Sequence, residues 1–415
     1  MNYKWLRFIL VVAIVMLCSM AAVTGSVDLF PVLDRNVQEE VAKEQAETVE
    51  ATEEIEEIDY KQEDNVIMTS EEEDGADLGN SSVGEIDSNK KEEEAAEKEN
   101  IKKVEVADKN VGLSQDEIIN KAIQKAVSWY RKNRNLPGQE GWEAYTALWG
   151  AGQNLNNSTV WQTGQYWRNE GPENLDPNHA GNEHIRYGFM LLSVKKDPTD
   201  VWGGRNLLVE LAAQQKENGS FGQLGRHIWA IELLNIGLEM GLDVGNWTDQ
   251  EAWQKAVKWL LNEQNKNGSF GKFSELDYTG WALITLSHSR DYSGVSKAIN
   301  DALNYLKKRQ LEDLGTAAFS GGEWTDFNAN SQAAVISGLI ALGEDLTSSN
   351  SCWVQNGETL LDAQLKFQHE SGYFQWTKDN SGDIDLATSQ SLIALLDILH
   401  SKYTRHRMSI EIRFE

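Results

Sequence analysis

Gln215–Gly222 reads QKENGSFG and Gln264–Gly271 reads QNKNGSFG; looser copies follow at Gln310–Phe319 (QLEDLGTAAF) and Gln368–Phe374 (QHESGYF). In each, a Gln near the end of an amphipathic segment precedes a glycine turn and then a phenylalanine. Asn218-Gly219 and Asn267-Gly268 place residues that tolerate a left-handed backbone where a helix must stop. A mostly apolar segment follows every copy, so the repeated unit predicts an array of helical hairpins. The phenylalanines are expected to return into the space between hairpins as core.

The segments around these turns are of two kinds. Residues 252–264 (AWQKAVKWLLNEQ) put Trp253, Ala256, Val257, Leu260 and Leu261 on one stripe, with Gln254, Lys255, Lys258 and Glu263 opposite. By contrast YTGWALITL (278–286), IWAIELL (228–234), AAVISGLIAL (333–342) and LIALLDIL (392–399) are apolar nearly all round. Alternation of one-sided and enclosed helices predicts an all-α fold, an α/α toroid with an outer ring around an inner one. Inner helices are expected to start near Trp142, Glu183, Arg226, Leu276, Asn328 and Asp385. Outer ones are expected near Ser114, Asn206, Ala252, Val295 and Gly357, with an irregular one near Thr159, giving five to six hairpins over residues 113–405.

The rest of the chain is of another character. Lys4 and Arg7, an apolar run from Phe8 to Cys18 and small residues up to Gly25 read as an export signal or N-terminal anchor over residues 1–25. Sixteen residues from Phe8 to Val23 are short for a membrane span, which favours the signal. Contact with a membrane is expected only through that segment left uncleaved. Residues 26–112 are expected to be a disordered acidic linker: 36–112 carry 26 acidic and 8 basic residues and no Pro, Trp or Phe. The linker holds most of the chain's net charge of −27, and acidity of this kind excludes nucleic acid as a partner. Cys18 lies in the leader, so Cys352 is the one thiol beyond it and no internal disulfide is expected there. Residues 406–415 alternate (Arg407–Glu415, RMSIEIRFE) and read as a short strand-like tail.

WEAYTALWGAG (142–152), KDPTDVWGGRNLLVELAAQQ (196–215), ELDYTGWALITL (275–286), NSQAAVISGLIALGED (330–345) and WVQNGETLLDAQLKFQHESGYFQW with DIDLATSQSLIALL (353–396) resemble exported Gram-positive toroid proteins. These belong to the terpene cyclase and prenyltransferase superfamily and are related to the cobalamin carriers, intrinsic factor and transcobalamin. The resemblance implies that the repeat Gln bonds helix ends. It also implies a ligand site at the mouth of the inner ring, with no bound cofactor and with cobalamin as a candidate ligand. Asp277 matches an Asp of the carriers, Asn328 falls where another carrier has Asp, and Gln390 matches their SQ motif. Ser331 and Asp385 occupy neighbouring rim positions.

Enzymatic readings find less in these residues. A cyclase needs a protonated acid in an apolar cavity and its family motif is DxDD; the nearest string, Asp383-Ile384-Asp385-Leu386, lacks the last Asp. Prenyltransferase zinc ligands are absent as a set, and the seven His show no HExxH spacing. Cys352 and Gln355 have the spacing of an internal thioester without its glycine and glutamate context. Seven tryptophans, Trp161, Trp167, Trp202, Trp229, Trp281, Trp324 and Trp376, offer stacking platforms for sugar rings, but no acid pair can be assigned for cleavage. The sequence therefore leads to an extracellular or cell-surface binding protein for a small molecule or cell-surface component. A cyclase-like or carbohydrate-active enzyme is the alternative.

Overall fold

A computed structural model describes residues 113–133, 141–157, 160–161, 175, 182–311, 317–319 and 327–414, all within the unit Asp87–Glu415. The expected leader and acidic linker lie outside the described residues, as do Thr159, Trp167, His179 and Trp324. Among the described residues the fold is all-helical, with twelve α-helices and no strand. The helices are α1 (Gln115–Asn133), α2 (Trp142–Gly150), α3 (Glu183–Ser193), α4 (Leu207–Ala212), α5 (Leu224–Glu239), α6 (Gln250–Asn262), α7 (Glu275–Ser287), α8 (Val295–Leu311), α9 (Ala329–Leu342), α10 (Leu360–Leu365), α11 (Ile384–His400) and α12 (Thr404–Glu411). No helix among them is long and apolar enough to cross a membrane.

The apolar segments of the sequence become α2, α3, α5, α7, α9 and α11, whose residues are buried on nearly every side. Their packing order is cyclic: α2 on α3, α3 on α5, α5 on α7, α7 on α9, α9 on α11, and α11 back on α2. The remaining helices lie against this set, α4 on α3 and α5, α6 on α5, α8 on α7, α10 on α9 and α11, and α1 on α11. In α6 Ala256, Val257 and Leu260 of the expected stripe are fully buried, and Trp253 and Leu261 are half-buried at its edges. At α7 and α9 the backbones approach most closely. A β-carbon on Gly338 would collide with the carbonyl of Gly280, and one on Gly280 with the carbonyl of Ala334, so this seam accepts glycine alone.

The repeated Gln performs one job four times. Its side-chain amide donates one hydrogen bond within its own turn and a second to a backbone carbonyl of the next outer segment. Gln215 reaches Gly219 O (3.0 Å) and Ala252 O (2.8 Å), and Gln264 reaches Gly268 O (3.0 Å) and Ala298 O (2.8 Å). Gln310 reaches Ala317 O (2.9 Å) and Trp353 O (2.7 Å). Gln368 bonds Gly372 O (3.1 Å) and Ala122 O (2.8 Å), which ties the last repeat to α1. The turn glycines Gly219, Gly268 and Gly372 have φ of 90°, 93° and 106°, and a β-carbon on any of them would strike the carbonyl of Lys255, Asp301 or Lys125 on that same neighbour. Phe221, Phe270, Phe319 and Phe374 are buried. The backbone N–H of Phe270 donates to Thr279 on α7 and that of Phe374 to Thr388 on α11, both at 2.9 Å.

The tail departs from its expected form. Thr404–Glu411 is a helix, and only Ile412–Phe414 run on from it without helical structure. The period-two pattern of RMSIEIRFE fits a strand as a local preference. Here Met408 is buried, Thr404, Arg405 and Ser409 join it, and the helix docks on α2, α5 and α11, so tertiary burial overrides the local pattern.

Gln368→Ala removes both side-chain hydrogen bonds of the closing junction. It is expected to lower stability by about 1–3 kcal/mol. A urea titration should show this as a shifted midpoint at constant slope.

Candidate functional site

The expected rim residues stand at the N-terminal ends of α7, α9 and α11, and the structure shows how each is held. Asn328 caps α9, its Oδ1 accepting from the backbone N–H of Ser331 at 2.8 Å. Asp383 caps α11 in the same way, accepting from Leu386 N at 3.0 Å, which gives it the structural role that its position suggests. Asp385 lies in the first turn of α11, half-buried, and burial with the nearby Asp383 charge raises its pKa above the usual carboxylate range.

Polar side chains meet between helices. Asp277 on α7 faces the Ser331 side chain on α9, which opposes the rise that burial gives its pKa. Asn330 Nδ2 on α9 donates to Gln390 Oε1 on α11 at 3.0 Å, and Gln390 lines the cavity together with Glu143 on α2. Asp277, Ser331 and Gln390 thus belong to one polar strip across α7, α9 and α11, while Asn328 caps its own helix.

Below this strip lies a cavity lined by Glu143, Trp229, Trp281, Ser337, Gln390 and Arg405, among others. Helical spacing links the two levels. Asp277, Trp281 and Ile284 form one stripe of α7, and Asn330, Ala334 and Ser337 one stripe of α9, so the rim groups stand a turn above the cavity wall. The enclosed space is about the size of one water molecule. A ligand larger than water must therefore sit at the mouth.

The innermost wall is cationic and aromatic. Rings follow one another from Phe189 to Trp142 (5.0 Å between centroids), to Trp229 (5.5 Å) and to Trp281 (5.3 Å). The buried guanidinium of Arg405 lies over Trp229 at 4.5 Å and Trp142 at 4.7 Å, and its Nη1 donates to Tyr403 Oη at 2.8 Å. Three buried acids feel its charge: Glu143, Glu232 and Asp397. Glu232 accepts from Thr285 Oγ1 at 2.9 Å, and Asp397 accepts from Ser337 Oγ and from Thr404 N, each at 2.6 Å. Burial raises the pKa of all three against the lowering influence of Arg405, taking Asp397 to about 6.

Asp277 is half-buried as a residue, but its Oδ1 is closed to solvent and has no hydrogen-bond partner; burial pushes its pKa up to about 6. Nε of Arg405 is a second buried polar atom here without a hydrogen-bond partner. An orphaned acceptor at the rim and an orphaned donor on the cavity wall are each costly in a structure with nothing else to bond.

Sequence reading did not single out Glu143, Glu232, Asp397 and Arg405 as site residues. A signal was present for two of them: Glu232 and Asp397 are single acids inside the apolar runs IWAIELL and LIALLDIL, where a charge demands a partner. Other expected candidates fall elsewhere. Trp161 is buried in the core, Cys352 is exposed, and Gln355 is engaged with the carbonyl of Gln310 at 3.2 Å. His184 is buried in the first turn of α3 and bonded to Glu210 at 2.9 Å.

No family model and no curated protein matches this chain.

Arg405→Ala leaves three buried acids without their cation. It is expected to destabilise the domain by about 3–5 kcal/mol, with little rescue by Lys, which cannot present a planar face to two indoles. Thermal unfolding of the two variants checks this.

Asp397 and Asp277 ionise at higher pH in the folded chain than in the unfolded one, so the native state binds more protons between about pH 4 and pH 6. Their contribution to stability is greatest at the acid end of that window and falls as pH rises through it. Glu143 and Glu232 act with the same sign, whereas Glu210, lowered by Arg205 and His184, acts with the opposite one. Asp397→Asn is expected to flatten the fall in Tm between about pH 4 and pH 7.

Proposed function

We propose that the helical domain is an α/α toroid that binds a small molecule at the mouth of its inner ring. The cyclic packing order of α2, α3, α5, α7, α9 and α11, with the other helices set against them, supports the ring. The observation that carries the binding reading is Oδ1 of Asp277, buried at the rim without a hydrogen-bond partner. Together with Gln390 and Glu143 it favours a ligand that brings N–H or O–H donors to the rim and stays at the mouth, a turn above Trp281. A corrinoid with peripheral amides is one such molecule, and the resemblance to cobalamin carriers points the same way.

A cyclase reading draws support from the raised pKa of Asp277, since a protonated acid above an aromatic cavity suits alkene protonation. The small cavity and the guanidinium in its wall favour binding over chemistry on a long isoprenoid chain. Residues 1–112 of the sequence supply the proposed setting: export, with an acidic spacer holding the domain away from the cell envelope.

Calorimetric titration of the full chain with cobalamin, an isoprenoid diphosphate and a cell-wall oligosaccharide tests the reading. One class is expected to bind, at least tenfold more weakly in Asp277→Asn and Gln390→Ala, a loss of about 1.4 kcal/mol or more. Absence of binding by all three classes, or binding unchanged in both variants, overturns the site at the mouth.

A further inference from the structure

At the other ends of the inner helices, three side chains from three different helices converge. Glu239 is the last residue of α5, His288 is the residue that ends α7, and His406 lies on α12. One ligand-type atom from each lies within 4.8 Å of the other two. His406 Nδ1 is 3.3 Å from Glu239 Oε2, and the His288 and His406 rings stand 5.0 Å apart, inclined at 45°.

We propose that Glu239, His288 and His406 form a three-ligand site for a zinc-class divalent ion, which fastens the C-terminal helix to the ends of α5 and α7. The ligand chemistry sets the class. Two imidazoles and one carboxylate suit zinc and its neighbours among the transition metals, whereas magnesium and calcium take all-oxygen sets. Geometry agrees: a tetrahedral zinc with bonds of ~2.0–2.1 Å places its ligand atoms about 3.3–3.4 Å apart, close to the His406 to Glu239 separation. His288 is exposed, so rotation of its side chain brings the third ligand in without disturbing the core.

Two further features favour a cation at this spot. Ser409 Oγ donates to Glu239 Oε2 at 2.7 Å and orients the carboxylate, the part a supporting residue plays around a metal. The site also lies at the C-terminal ends of α5 and α7, where unpaired carbonyls make the potential negative. The buried Glu232 carboxylate acts on His288 in the same sense, while Lys402 beside His406 opposes it. Three protein ligands leave a fourth position for water.

Bound metal would couple this site to the ring interior. His406 adjoins Arg405, so fastening His406 holds the guanidinium on Trp142 and Trp229. Metal would then raise the stability of the whole domain through one helix.

The test is titration of the EDTA-treated full chain with zinc chloride and, separately, magnesium chloride, followed by calorimetry and by Tm. One zinc per chain is expected, with a rise in Tm that magnesium does not give. His288→Gln, a change at an exposed position, is expected to weaken zinc binding at least 100-fold while leaving the metal-free Tm and far-ultraviolet circular dichroism unchanged. His406→Gln is expected to weaken zinc binding similarly, and Ser409→Ala by up to tenfold. Cys352→Ala is expected to bind as the parent does. Failure of the parent chain to bind zinc saturably overturns the proposal. Binding that survives in His288→Gln, or that is lost in Cys352→Ala instead, overturns it equally.

Discussion

Four glutamine side chains hold the described fold together, because each spends its two amide protons on two different structural units. One proton goes to a carbonyl a few residues on in its own repeat; the other goes to a carbonyl of a neighbouring segment. A helical repeat array is ordinarily a sum of local stabilities and neighbour contacts with loose ends. Here Gln368 joins its turn to Ala122, 246 residues earlier in the chain, and the neighbour relation becomes circular. Glycine turns are what make the bond reachable, since any larger residue would push the turn off the backbone it packs against.

The same regularity explains what was legible in the sequence. A Gln, a glycine and an aromatic in recurring order report local geometry that one repeat imposes on the next, so helix starts were read to within a few residues, and the structure makes Asn206 and Asn328 two of the caps. Where the repeat stops, the reading failed. The helix Thr404–Glu411 has no turn signature of its own and takes its form from the three inner helices beneath it, information carried by residues far away in sequence. The candidate site was partly legible for the same reason. Asp277, Ser331 and Gln390 sit at helix starts marked by pattern, but their union with Glu143 and Arg405 depends on which helices become neighbours. Composition cannot express a guanidinium lying across two indoles.

The interior is accordingly an electrostatic arrangement as much as an apolar one. Glu143, Glu232 and Asp397 come from three inner helices and share one cation brought by a fourth element. A buried cation of this kind contributes chiefly by fixing which side chains meet, because its attraction to the acids is offset by the loss of their hydration. Indole faces lower that cost by supplying a negative π surface without a formal charge. The aromatic arc therefore has two jobs, as wall of the cavity and as seat for Arg405.

The bond between Gln368 and Ala122 has a consequence in time as well as in space. Helix α1 buries Ile119, Ile123, Val127 and Tyr130 against segments that lie far along the chain. A ribosome adding about 5–20 residues per second needs roughly 10–50 seconds to make the intervening chain. Until then the apolar stripe of α1 lacks its partners on α11, while the repeats between Gln215 and Gln310 can already stack on one another. The earliest-made helix of the domain thus waits longest for its neighbours, and one of the latest-made turns completes its burial.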